Sequence, residues 1–143
     1  MTETMEEREE GRTLEVFLEG RRREKEQTAF YRVLAAAAEE AGEEELAERL
    51  NALHADEQHH LSRLTARILE LGGEVPEIPT APPDGEGLEG WEERARVREG
   101  DEVRWYEEAR EEGVDPESRR ILEEILESER HHARDLGGKW MPA

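Results

Sequence analysis

A carboxylate on an apolar helix face must find a compensating partner, and this chain carries two in the same setting. The pattern Glu-x-His-His occurs at Glu57-Gln58-His59-His60 and again, 72 residues on, at Glu129-Arg130-His131-His132. Around Glu57 the apolar stripe is Leu46, Leu50, Leu53, Leu64 and Ile68; around Glu129 it is Leu122, Ile125, Leu126, Ala133 and Leu136. These positions lie one, two or three helical turns from each glutamate and so share its face. A buried carboxylate is costly unless it is paired or binds a metal. Two of them, each followed one turn on by a histidine, point to a metal site inside a helix bundle.

The rest of the pattern supplies the bundle. Helical periodicity runs from about Thr13 to Ala41 and stops at Gly42. A second helix is expected from Glu43 to Leu71, before Gly72-Gly73. Pro76, Pro79, Pro82, Pro83, Gly85 and Gly87 exclude regular structure in the next segment. A third helix is expected from Leu88 to Glu112, ended by Gly113; Asp115-Pro116 reads as N-cap and first position of a fourth, to about Leu136, before Gly137-Gly138. Short, long, short connections describe an all-α fold: a four-helix bundle of two antiparallel hairpins, 13–72 and 88–137, joined by a crossover over 73–87. Residues 1–12 read as an acidic N-terminal tail and 138–143 as a C-terminal tail.

The hairpins repeat one another. Glu24 stands seven residues before Tyr31, and Glu99 seven before Tyr106. Glu24 lies 18 residues before Gly42 and Glu57 lies 15 after it; Glu99 lies 14 before Gly113 and Glu129 lies 16 after it. At about 1.5 Å per residue the arms of each hairpin match within ~5 Å. Glu24 therefore comes level with Glu57, and Glu99 with Glu129. Glu102, three residues after Glu99, offers one more carboxylate on that face. The candidate ligands are Glu24, Glu57, His60, Glu99, Glu102, Glu129 and His132. Oxygen-rich ligation with two imidazoles suits iron or manganese.

This constellation resembles the rubrerythrin branch of the ferritin-like di-iron superfamily over roughly residues 15–136. The matching residues are Glu24, Tyr31, Glu57, His60, Glu99, Glu102, Tyr106, Glu129 and His132; the extra glutamate at 102 is what looks like rubrerythrin. The resemblance implies that Glu57 and Glu129 bridge two iron ions, that Glu24 and Glu99 or Glu102 are terminal ligands, and that His60 and His132 bind one ion each, or one of them only in one redox state. It makes Tyr31 and Tyr106 hydrogen-bond donors to the ligands, as candidate catalytic residues. The implied activity is oxidation of Fe(II) by dioxygen or hydrogen peroxide, with manganese a possible occupant. Three rivals stand beside it: a peroxidase with an external electron donor, a non-enzymatic iron-binding or delivery module, and a purely structural acidic bundle that binds no metal. The chain has no cysteine, so it lacks the four-cysteine rubredoxin-like domain through which full-length relatives receive electrons.

Composition narrows the partners. The formal net charge is -19, which disfavours nucleic acid and anionic membrane, both polyanions. Without cysteine there is neither a disulfide framework nor an iron–sulfur cluster. No run approaches the ~18 apolar residues of a membrane span. Residues 1–10 lack the apolar core of a signal peptide, so a cytoplasmic protein is expected. His59 and His131 point about 100° away from their neighbours and are expected in solvent. His54 reads as an ordinary, partly buried histidine, and Arg21-Arg22-Arg23 as a solvated patch or an intersubunit ion-pair donor. Leu14, Phe17, Leu18, Trp105 and Trp140 look like apolar surface that a homo-oligomer would cover.

Overall fold

The computed structural model describes residues 3–79 and 87–136. Among these there are four helices and no strand: α1 (Met5–Glu40), α2 (Glu44–Glu70), α3 (Trp91–Ala109) and α4 (Pro116–Arg134). The helix ends follow the local chemistry. Gly42 adopts φ 73°, a left-handed conformation that a side chain would strain. There the Glu43 N–H bonds the Ala38 carbonyl and the Gly42 N–H bonds that of Glu39, so two terminal carbonyls are satisfied and the chain turns back. At the other hairpin the Asp115 side chain accepts from the Ser118 N–H at 2.9 Å, and Pro116 supplies a pre-set first turn.

Helix α1 begins at Met5, eight residues before the expected start at Thr13, so most of the expected acidic tail is helical. Residues 5–12 are exposed and carry no apolar stripe, hence the missing signal. The Thr4 hydroxyl caps the Glu7 N–H at 3.0 Å, and Glu6 and Glu7 sit at the favourable end of the helix dipole. Helix α3 is shorter than expected at both ends. Residues 80–86 of the proline-rich crossover, Gly137-Gly138, the C-terminal tail and Trp140 lie outside the described residues.

Helix α1 lies along α2 and α3 along α4, and the hairpins meet through α2 against α4 and α1 against α3. Two apolar clusters fill the bundle. One gathers Phe30, Leu34, Leu50, Leu53, Trp91 and Leu136. The other gathers Phe17, Leu64, Ile68, Leu122, Ile125 and Leu126. Each fully buried side chain of this kind contributes roughly 1.5–3 kcal/mol. On every helix the residues between the two clusters are the candidate ligands, so an acidic layer is held between two apolar ones. Of the expected apolar surface, Phe17 is fully buried, and Leu14, Leu18 and Trp105 are partly buried against the second cluster. The exposed large apolar residues are instead Met5, Val33, Leu69 and Val97. No helix among the described residues is long and apolar enough to cross a membrane.

Arginines clamp the ends of this frame. Arg21 is buried and donates to the Thr65 hydroxyl at 3.2 Å and to the Pro76 carbonyl at 2.8 Å, tying the start of the crossover to α1 and α2. Arg67 donates to Ser118 at 2.9 Å and to Asp115 at 3.0 Å, fastening the end of α2 to the start of α4. Within the arginine run only Arg22 is a solvated patch residue, paired with Glu19 and Glu26.

Candidate metal centre

Six of the seven candidate ligands converge. Glu24, Glu57, Glu99 and Glu129 are each 0% exposed, and His60 and His132 are buried with them. Their donor atoms form two overlapping groups: Glu24, Glu57, His60 and Glu129, and Glu57, Glu99, Glu129 and His132. Within each group the atoms lie within 4.8 Å of one another. Glu57 and Glu129 belong to both. Glu102 belongs to neither: it is buried, but its carboxylate pairs with Arg23 at 3.0 Å.

Around the ligands lies a shell that the sequence pattern predicted only in part. The tyrosines donate across the bundle rather than within their own helix. Tyr31 of α1 donates to Glu99 of α3 at 2.7 Å, and Tyr106 of α3 to Glu24 of α1 at 2.6 Å. Buried Gln27 places its amide nitrogen 3.3 Å from both Glu57 Oε2 and Glu99 Oε1, and its oxygen accepts from Arg98 at 3.2 Å. Asp56 of α2 takes the Nε2 of His132 at 2.9 Å. Gln27, Arg23 and Arg98 are not of metal-ligand type, and Asp56 falls on an exposed phase of α2, so the ligand pattern passes over all four. One signal was available: each of the first three stands at a fixed offset from a ligand glutamate in the internal repeat. His59 and His131 face solvent and His54 is half-buried, as their phases require.

The electrostatics are those of crowded acids in a dry layer. Glu24 is pushed up to about 8, by burial first and by the Glu57 charge second. Burial and Glu57 likewise hold Glu99 and Glu129 well above the usual carboxylate range. Glu102 rises to about 7, because burial outweighs the opposing Arg23 charge. For His60 burial alone would depress basicity, but the Glu24 and Glu57 carboxylates overcome it and raise the imidazole to about 10. Burial and then the facing carboxylates push Tyr31 and Tyr106 well above ordinary phenols, so both remain donors.

The donor set fits divalent cations. Glu24 Oε2, Glu57 Oε1, Glu99 Oε2, Glu129 Oε2 and His60 Nδ1 are buried with no hydrogen-bond partner among the described residues. Such atoms are costly to leave unmet. Opposite ligands of a cation bound at 2.0–2.6 Å stand roughly 4–5 Å apart, matching the spread within each group. Four carboxylates bring four negative charges, which two divalent cations neutralise.

The fold places the chain among proteins of known structure. The X-ray structure of a Desulfovibrio desulfuricans bacterioferritin, studied for its di-iron site in different catalytic states, matches with a TM-score of 0.86 at 22% identity, over 94% of this chain and 81% of that one. The fold is the ferritin-like four-helix bundle. The BfrA bacterioferritin of Mycobacterium tuberculosis matches with a TM-score of 0.79 at 23% identity, over 96% of this chain and 85% of that one. No family profile matches the sequence, and no curated protein does.

Proposed function

We propose that this chain binds two iron ions at the acidic layer and oxidises Fe(II) with dioxygen or hydrogen peroxide. The observation that carries the reading is the sharing of Glu57 and Glu129 by both donor groups: two carboxylates common to two ligand sets are what a paired-ion centre needs. The ferritin-like fold and the di-iron site of the Desulfovibrio bacterioferritin support it. Bound iron supplies the electrons that reduce the oxidant. In this reading Glu57 and Glu129 would serve both ions, with Glu24 and His60 completing one donor group and Glu99 and His132 the other. The tyrosine hydroxyls steady the capping carboxylates, and the apolar clusters keep bulk water out of the layer. Manganese suits the same donors. A cytoplasmic homo-oligomer is part of the proposal.

One observation favours a second reading, a rubrerythrin-like peroxidase with an external electron donor. It is Glu102, a buried fifth carboxylate one turn from Glu99. Anaerobic loading with Fe(II) followed by elemental analysis should give two ions per chain, and a stoichiometry near zero removes the centre. Oxidation of the loaded protein should then be followed separately with dioxygen and with peroxide. Fast turnover with peroxide and an added reductant alone selects the peroxidase; loss of iron without oxidation selects a carrier.

A further inference from the structure

The two halves of the centre are near copies. An offset of 75 residues takes Arg23, Glu24, Tyr31 of α1 to Arg98, Glu99, Tyr106 of α3, and an offset of 72 takes Glu57 and His60 of α2 to Glu129 and His132 of α4. Two positions that border the ligands break the match. The counterpart of Gln27 is Glu102, and the counterpart of Asp56 is Ser128.

Both breaks favour the same half. His132 is gripped from behind: its Nε2 lies 2.9 Å from Asp56 Oδ2, while its Nδ1 lies 3.2 Å from Glu129 Oε1 and 3.7 Å from Glu99 Oε1. A carboxylate only accepts, so Nε2 carries the proton and Nδ1 can present its lone pair inward. Among the described residues no hydrogen bond joins Ser128 to His60, whose Nδ1 faces Glu57 at 3.2 Å, Glu24 at 3.6 Å and Glu129 at 3.7 Å. Glu99 is steadied by Tyr31 and by the Gln27 amide. Glu24 has the Tyr106 hydroxyl, and Glu102, lacking an N–H, holds Arg23 instead. The ligands around His132 are thus fixed in advance, and those around His60 are held by fewer partners.

We infer that the position formed with His132 and Glu99 takes the first metal ion and holds it more tightly, and that Asp56 is the positioning residue that sets this order. The inference rests on the metal-centre reading above. A carboxylate behind a ligating histidine fixes its tautomer and raises its basicity, and loss of such a partner typically weakens binding 10–100-fold.

Mn(II), which is inert to oxidation under anaerobic conditions, makes a probe that reads binding without turnover. Calorimetry on the full chain should resolve two steps, the first at least about tenfold the tighter. Electron paramagnetic resonance should show isolated Mn(II) at one equivalent and loss of that signal at two, as neighbouring ions couple. Asp56→Ser, which copies the residue in the other half, should weaken the first step about 10–100-fold and spare the second. The Asp56 side chain is 56% exposed, so the fold tolerates the change. Adding Ser128→Asp should tighten the His60 position and reverse the order, visible as density beside His60 in crystals grown at one equivalent. Equal constants in the unaltered chain, or a first step indifferent to Asp56→Ser, overturn this inference while leaving the two-ion centre intact. A chain that binds neither Mn(II) nor Fe(II) overturns both.

Discussion

Stripping the metal should make the stability of this fold fall as pH rises through neutrality. Glu24 keeps its proton up to about pH 8 in the folded chain, whereas its ordinary value is 4.5. A group raised in this way contributes stability that is fully present below the unfolded value and lost as pH climbs through the folded one. Glu99 and Glu129 shift in the same direction, and Glu102 rises to about 7. These groups share one layer, so the conservative case is a single extra proton retained by the folded state. That proton alone gives a slope of about 1.4 kcal/mol per pH unit, or ~3 kcal/mol from pH 5 to 7. For a chain of this size the melting midpoint should drop by roughly 10 °C over that interval. His60, raised to about 10, adds loss of the same sign once pH passes its ordinary 6.5. Glu19 and Asp115, held low by Arg22 and by the Ser118 cap, lose their contributions only below the ordinary carboxylate range, outside this window. The assay is thermal unfolding of chelator-treated protein at pH 5, 6 and 7, at about 0.5 M salt so that the overall negative charge is screened. Glu24→Gln should flatten the slope. The metal-loaded protein should run the other way, losing stability toward acid as ligands protonate and release the ions. An apo midpoint that is constant or rises from pH 5 to 7 would refute the buried acidic layer.

Other outcomes separate the centre from its frame. Glu57→Ala or Glu129→Ala should abolish Fe(II) oxidation, while His59→Ala or His131→Ala should leave it within about twofold, because the latter pair faces solvent; stopped-flow oxidation of each variant decides, and equal losses would place the ligands on the wrong helix face. Leu122→Ala removes a fully buried side chain and should lower unfolding stability by about 2–5 kcal/mol in urea melts, whereas Leu69→Ala, at a 59% exposed residue, should change it by less than ~0.5 kcal/mol. Light scattering at several concentrations tests self-association: a constant mass near 16.5 kDa rules it out.

The bundle was legible because its core is written in helical phase. Leu50, Leu53, Leu64 and Ile68 fix the buried face of α2, and Glu57 and His60 fall on it by spacing alone. The matched hairpin arms brought four glutamates to one depth for the same reason. What escaped depends on neighbours rather than on phase. Residues 5–12 form a helix through capping and dipole terms that leave no apolar stripe. Which tyrosine serves which glutamate depends on how α1 crosses α3, and no within-helix spacing records that. Glu102 has the phase of a ligand, yet Arg23 on the opposite helix takes its carboxylate. Phe17 reads as surface within its own helix, but its cover comes from side chains distant in sequence, such as Leu64 and Leu122.

The covalent continuity of the two hairpins has a consequence of its own. Two identical hairpins assembled about a true two-fold axis would repeat every residue on both sides. Any carboxylate behind one histidine would then stand behind the other, and the two positions would be bound to equal affinity in the symmetric state. A single chain carrying both hairpins is released from that constraint. Asp56 can stand where its counterpart is Ser128, and Gln27 where its counterpart is Glu102, without disturbing the carboxylates that both halves share. Division of labour between neighbouring positions in one cavity is thus open to this chain and closed to a symmetric pair of its halves.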